Sequence, residues 1–371
     1  MYFLYPVFLF IIRLFSHSKR KVNDDSCTFP QLSVIVPTYN EVNVINSKLT
    51  DLLNMSYPKD RYEIIVVDSA SSDGTSEIVR KFEKEGVILL QQEERMGKSS
   101  AINFALEKAR GEIVVLSDAN SKFEVDAFNM LIRKFDSGVG GVQPRICPCR
   151  DNNLWDRFFL WLHHVYKTQE SNVDSVFFAS GKLFAFRKTS FTKIDENSAA
   201  DDLEIALNMR RRNLRVKYAP DVKVVEKAPI TPKEVRIQRV RRAFGVLQVI
   251  WKNKTMLFNP KYSAYGFVIF PTHFLQITLQ PFLIFYLLTI VFMKILLTIP
   301  SMDTINLFFV VALICIVFFS LLLIKKMRRV CSVGYNFLLT QAYIVLAIFD
   351  FMRGKSYRIW KKVSSTRDAL S

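Results

Sequence analysis

Cysteine is scarce in this 371-residue chain, which holds five: Cys27, Cys147, Cys149, Cys315 and Cys331. The set is odd, and its last two members lie in or beside apolar C-terminal stretches, so no disulfide framework is expected and a reducing, cytoplasmic face is the simpler reading. Acidic side chains are outnumbered, 34 against 51 lysines and arginines, leaving a net charge of +17. An excess of that size implies a partner of negative charge: nucleic acid, anionic lipid or a phosphorylated substrate. The glycine loops that cradle phosphates are missing. Gly97-Lys98-Ser99 would complete a Walker motif only with glycine at position 92, where Gln92 stands, and no GxGxxG follows a strand. Phosphate must then be held by metal and basic side chains.

What is present is a chain that is half hydrophobic yet 23% charged, with its apolar residues gathered in blocks at the two ends. At ~150 residues per domain, the length suits two domains, or one catalytic domain and a membrane part. Residues 1–22 read as an uncleaved membrane anchor: Tyr2 to Phe15 is apolar except for Arg13, and Lys19, Arg20 and Lys21 follow. As a helix this stretch rises only ~21 Å, so it spans by thinning the bilayer or lies in the interface. The basic cluster behind it should stay cytoplasmic. Residues 256–371 form a second membrane region, with spans expected near 274–298 and 305–324 and a third hydrophobic segment at 334–352. Basic clusters flank that third segment on both sides, which favours a flat or re-entrant placement. The chain is therefore expected at the cell membrane, multi-pass, with its catalytic domain cytoplasmic.

Residues 23–255 make the catalytic domain. Leu32–Val36, Tyr62–Val67, Val87–Gln91 and Glu112–Leu116 have strand patterns, and Asn43–Leu53, Thr75–Glu85 and Ser99–Ala109 alternate with them as helices. This βαβ rhythm belongs to a doubly wound α/β sheet, whose ligand site lies beyond the carboxyl ends of the strands. The residues there are polar: Thr38-Tyr39-Asn40-Glu41, then Asp68 and Asp73, then Ser117-Asp118-Ala119-Asn120. An isolated aspartate after a strand is usually a turn or cap residue. Several at one sheet edge repel one another unless a cation or donor group sits between them, as when a divalent metal and a nucleotide diphosphate are held.

In order and spacing, these segments resemble those of a membrane-anchored, inverting family 2 glycosyltransferase of the GT-A fold. Val36-Pro37-Thr38-Tyr39-Asn40-Glu41 is similar to the family's PTYNE opening, Val67-Asp68 to Thr75 to its nucleotide-binding aspartate segment, and Gly97-Lys98 to Asn103 to its GKxxALN turn. Ser117 to Asn120 stands at its DxD motif, Asp201-Asp202 to Val216 at its EDxxLxxRLRRxGYRV stretch, Gln238 to Arg242 at its QxxRW, and Trp360 to Arg367 at its closing W…STR. The resemblance implies that Asp68 and the Thr38–Glu41 segment hold a uracil or equivalent base of a nucleotide-sugar donor, a UDP-sugar being favoured. It implies that Asp118 and Asn120 ligate Mg²⁺ or Mn²⁺ on the diphosphate, and that Lys98, Gln238, Arg241 and Arg242 face the donor. Asp202 is then the base that deprotonates the acceptor hydroxyl, and Gly181 leaves room for an acceptor sugar.

Two departures from the pattern bear on chemistry. Asn120 replaces the second acid of DxD and weakens the expected metal site, and Arg242 replaces the tryptophan of QxxRW, exchanging a sugar-stacking ring for a cation suited to phosphate. Single transfer to a lipid-linked or glycan acceptor is therefore expected, with a processive synthase and a catalytically degenerate membrane scaffold as the rivals. From Arg210 to Lys254 there are fourteen lysines and arginines against three acids. Aromatics do not interleave with them as nucleic-acid stacking would require, so membrane lipid head groups and not nucleic acid are the expected partner. His163-His164 sits among aromatic residues as a packed or interfacial helix, and Cys147-Pro-Cys149 reads as structural.

Overall fold

In a computed structural model, residues 4–15, 29–149, 153–191, 193–298, 309, 312, 325–357, 359 and 365 are described. Eight strands form one mixed sheet: β1 (Leu32–Thr38), β2 (Tyr62–Ser69), β3 (Val87–Gln92), β4 (Ile113–Leu116), β5 (Lys122–Phe123), β6 (Val139–Pro148), β7 (Phe184–Arg187) and β8 (Arg215–Glu226). They lie in the order β3-β2-β1-β4-β7-β6-β8-β5. The first four run parallel, with Thr38 level with Asp68 and Ile35 with Leu116. Strand β7 is antiparallel to both β4 and β6, while β6 and β8 are parallel.

The period-2 alternation of the central strands explains the two cores. Val34, Val36, Ile64 and Val66 point to one face, where helices α2 (Val42–Leu53), α3 (Thr75–Lys81) and α5 (Ala127–Ile132) pack. Ile35, Ile65 and Val67 point to the other, against α4 (Lys98–Lys108) and α7 (Asp201–Arg211). Strand order reverses between β1 and β4, and a ligand crevice opens where connections diverge in this way. The loops that follow these two strands are the Thr38–Glu41 and Ser117–Asn120 segments.

A third apolar cluster joins α1 (Leu4–Phe15), α6 (Leu154–Val173), α7, α8 (Pro232–Lys252), α9 (Phe270–Thr278) and a C-terminal helix of 28 residues, α11 (Lys325–Met352). Thr231 and Glu234 form a capping box that starts α8. The expected division at residue 255 falls inside this cluster. At its centre the buried Glu170 accepts hydrogen bonds from Tyr5 Oη (3.0 Å) and the Phe177 amide (2.9 Å) and meets His273 Nε2 at 2.6 Å, tying α1 and α9 to α6.

The span expected near 274–298 is broken. Helix α9 and helix α10 (Gln280–Thr298) meet at a 51° bend, where Pro281 lacks an N–H and its ring displaces the carbonyl one turn back. The 305–324 segment lies outside the described residues except for 309 and 312. Within α11, Val330–Met352 is the one unbroken described helix long and apolar enough to cross a membrane. It has no break of the kind a re-entrant segment needs. Helix α1 is shorter, and its exposed face carries Leu4, Val7, Phe8 and Ile11.

Candidate active site

One cavity of about 530 Å³ opens beyond the carboxyl ends of β1 and β4 and runs down to α6, α8, α9 and α11. Thr38, Tyr39, Glu41, Lys98, Asp118, Asp202, Gln238, Arg241 and Arg242, all expected in the site, line it. Asn40, Asp68 and Asn120 do not. Asp68 is 2% exposed, and its carboxylate accepts from the Ser71 amide (3.1 Å), Ser76 Oγ (2.7 Å), Thr38 Oγ1 (3.4 Å) and the Ser71 hydroxyl. Asn40 adopts a left-handed φ of 54° and accepts from the Ser72 amide at 2.8 Å. The two residues thus fasten the loop after β1 to the loop after β2. At the same end, the Arg95 guanidinium lies 3.8 Å from the Tyr39 ring centroid.

Asp118 and Asp201 converge on one lysine. Lys98 Nζ lies 2.8 Å from Asp118 Oδ1 and 3.4 Å from Asp201 Oδ2. Burial alone would push Lys98 down, but Asp118, Asp201 and Asp202 outweigh it and hold the ammonium above its ordinary range. A Cβ on Gly181 would stand 2.5 Å from that ammonium. The position a Cβ would take at Gly181 is therefore held by the Lys98 ammonium.

Asp202 stands at the first turn of α7, where its Oδ2 accepts from the Gly181 amide at 3.0 Å and its Oδ1 from its neighbour Leu203 at 2.8 Å. Burial, then the adjacent Asp201, push its carboxyl up against the opposing pull of Lys98 and the two amides. A fixed carboxylate of raised basicity beside a cation is suited to accept a proton. Arg241 faces the same acids. Burial and Arg242 lower it to about 10, and Asp201, Asp202 and Asp118 oppose that fall.

Among the described residues no group of three or more His, Cys, Asp or Glu side chains forms a metal cage. A divalent cation of the Mg²⁺ type does not need one, because it is commonly held by one or two carboxylates with substrate phosphates supplying the rest. Asp118, which lines the cavity, fits that role, and Asn120 stays outside the lining.

Sequence reasoning missed Asp201 as the second partner of Lys98, and it missed Lys48. Lys48 is 2% exposed and donates to the Ser121 carbonyl at 3.0 Å from beneath the Ser117–Asn120 turn. No linear motif marks either contact, since each joins segments far apart in the chain. His163 is packed as expected, on Phe159 at 4.2 Å between centroids. Burial, then Lys167, His273 and Arg242, lower it to about 3, so it is neutral at pH 7.

Residues 33–195 match the family described as Glycosyl transferase family 2. That stretch is a glycosyl transferase family 2 domain. Its fold is of the GT-A type, shared with the mannosyltransferase PcManGT of Pyrobaculum calidifontis solved with GDP-Man and Mn²⁺. That structure superposes with a TM-score of 0.72 at 26% identity over 95% of this chain and 96% of the other. The probable glycosyltransferase YdaM of Bacillus subtilis is 27% identical over 274 residues, which are 69% of this chain and 64% of the relative. The poly-beta-1,6-N-acetyl-D-glucosamine synthase of Staphylococcus aureus is 26% identical over 275 residues, 67% of this chain and 65% of the relative. This chain thus spans somewhat less than two thirds of the length of these curated relatives.

Proposed function

We propose that this chain transfers a sugar from a nucleotide-sugar donor to a lipid-linked or glycan acceptor at the cytoplasmic face of a membrane, with inversion at the anomeric carbon. The observation that carries the reading is Asp202, fixed by two backbone amides in the same cavity as Lys98, Asp118 and Arg241. The nucleotide lies along the Thr38–Glu41 loop, and Arg241 and Lys98 offset the charge of its diphosphate. Asp118 would hold Mg²⁺ or Mn²⁺, which when bound neutralises the departing diphosphate. The acceptor hydroxyl oxygen bonds to the anomeric carbon as the carbon–oxygen bond to the diphosphate breaks, and the hydroxyl proton passes to Asp202. Fixed amides on Asp202 spare its reorganisation during the step.

The membrane assignment rests on the apolar α11, the exposed apolar face of α1 and the basic run from Arg210 to Lys254 beside them. On this reading residues 256–371 are the membrane region. Likeness to a polymerising synthase favours one second reading, repeated addition to the same acceptor.

The test incubates detergent-purified chain with UDP-, GDP- and dTDP-sugars, Mg²⁺ or Mn²⁺ and a lipid extract, and follows donor consumption and the product's anomeric configuration. Consumption of one donor with an inverted linkage is expected, and the number of sugars added decides between single and repeated transfer. A chain that binds none of these nucleotides contradicts the reading.

A further inference from the structure

Beneath the loop that carries Asp118 lies a buried charge that the transfer step does not use. Lys48 projects from the middle of α2, is buried and does not line the cavity. Its ammonium donates to the Ser121 carbonyl at 3.0 Å and to the Ser121 hydroxyl at 3.3 Å, and lies 4.1 Å from the centroid of the Phe123 ring. Ser121 passes these contacts on. Its hydroxyl donates to the Asp118 carbonyl at 2.8 Å and lies 3.0 Å from the Ser117 hydroxyl, while its amide donates to the same Asp118 carbonyl at 3.3 Å. The Asp118 amide in turn donates to the Gly181 carbonyl at 3.1 Å. Both peptide groups of Asp118 are thus held, one of them through Lys48.

A lysine closes this turn at a cost in stability. Burial weighs against the ammonium, and Asp118, then Asp51, are the charges that favour it. An unbranched apolar side chain such as methionine would fill much of the same space without that cost, so packing alone does not account for the charge. What the ammonium adds is a set of donors behind the one member of the Asp118–Asn120 pair that lines the cavity. With a single carboxylate from this turn facing the cavity, no second acid of the pair compensates when Asp118 is misdirected.

We infer that Lys48 is a positioning residue: by fastening Ser121 from behind, it holds the Asp118 carboxylate in the orientation that a divalent cation on the donor's diphosphate requires. Groups that orient a metal ligand from behind commonly contribute about 10–100-fold in metal affinity or activity. The inference rests on the transferase reading above, in which Asp118 holds Mg²⁺ or Mn²⁺.

The test measures GDP and UDP binding to the detergent-purified full chain by calorimetry, once with MnCl₂ and once with EDTA, and takes the ratio of the two affinities as the gain due to metal. Wild type is expected to show such a gain for one of the nucleotides, and Asp118→Asn to abolish it. Lys48→Met should cut the gain by at least about tenfold while leaving affinity in EDTA within about twofold of wild type and Tm at pH 7 no lower. A lysine with a purely structural role would instead lower Tm and both affinities together. Ser121→Ala keeps Lys48 but removes the hydroxyl that joins it to Asp118, and should cut the gain by about threefold or more, so it reports even where Lys48→Met fails to fold. Leu49→Ala, at the fully buried next position of α2, should lower Tm and leave the gain unchanged. A full gain in Lys48→Met overturns the inference, as does a full gain in Ser121→Ala or a loss that Leu49→Ala reproduces. Wild-type nucleotide binding with no gain from Mn²⁺ overturns it together with the metal role of Asp118, whereas the absence of nucleotide binding defeats the transferase reading as a whole.

Discussion

Side chains in the site are placed by contacts that a linear motif does not carry. Gly181 is the clearest case, because the space a Cβ would take there holds the ammonium that neutralises Asp118 and Asp201. The blocked atom is the end of a flexible side chain, so Gly181→Ala should move Lys98 and leave the fold intact. Sugar transfer should fall at least about tenfold while Tm changes by less than that of a ~1 kcal/mol destabilisation, which a melting curve and an initial-rate assay check together. Lys48 makes a second residue-scale prediction. Burial lowers it to about 7, against a weaker pull upward from Asp118 and Asp51. Between pH 7 and its unfolded value near 10.5 the unfolded chain binds one more proton than the folded one. Its contribution to stability therefore rises with pH across that window, by about 1.4 kcal/mol per unit, and is lost as pH falls through 7. Lys48→Met removes the titration, so its stability advantage over wild type should be largest at pH 7 and shrink toward pH 10 in denaturant unfolding. A pH-independent difference would contradict the assignment.

At the scale of elements, the site depends on α8 lying close against the segment that leads into α7. Gly245 permits this approach, since a Cβ there would stand 2.8 Å from the Ala199 backbone carbonyl. Backbone cannot rotate away as the tip of Lys98 can, so Gly245→Ala must push α8 outward and Ala199-Ala200 with it. A destabilisation of about 1–3 kcal/mol is expected, together with a loss of transfer larger than Gly181→Ala produces, because both Arg241 and the start of α7 shift. Equal Tm and rate to wild type would show that α8 does not set the position of Asp202. The elements themselves were largely legible. The unbroken apolar runs in Val34–Val36 and Ile64–Val67 and the polar residues after each strand placed the sheet and its ligand edge, since these central strands are buried on both faces. The bend between α9 and α10 was not legible. An apolar run reads as one span by hydropathy, and Pro281 breaks it only through local backbone sterics that a hydropathy sum ignores.

For the whole molecule, Asp118, Lys98 and Asp202 could be gathered from motif order, because each follows a strand or starts a helix at the same sheet edge, and Arg241 joins them from the middle of α8. What motif order does not show is which distant side chains share the cavity: Lys167 and Gln276 carry no motif and line it, the latter supplied by a helix more than two hundred residues downstream of Asp68. The central claim is that this cavity performs transfer with Asp202 as its base. The measurement that tests it most directly is the transfer rate of Asp202→Asn beside its nucleotide affinity. Asparagine keeps the shape and the acceptor oxygen for the Gly181 amide but cannot take a proton at pH 7. The expected result is a rate lower by about 10²–10⁴-fold with nucleotide affinity within about twofold of wild type. A rate within about threefold of wild type at that same affinity would contradict the account.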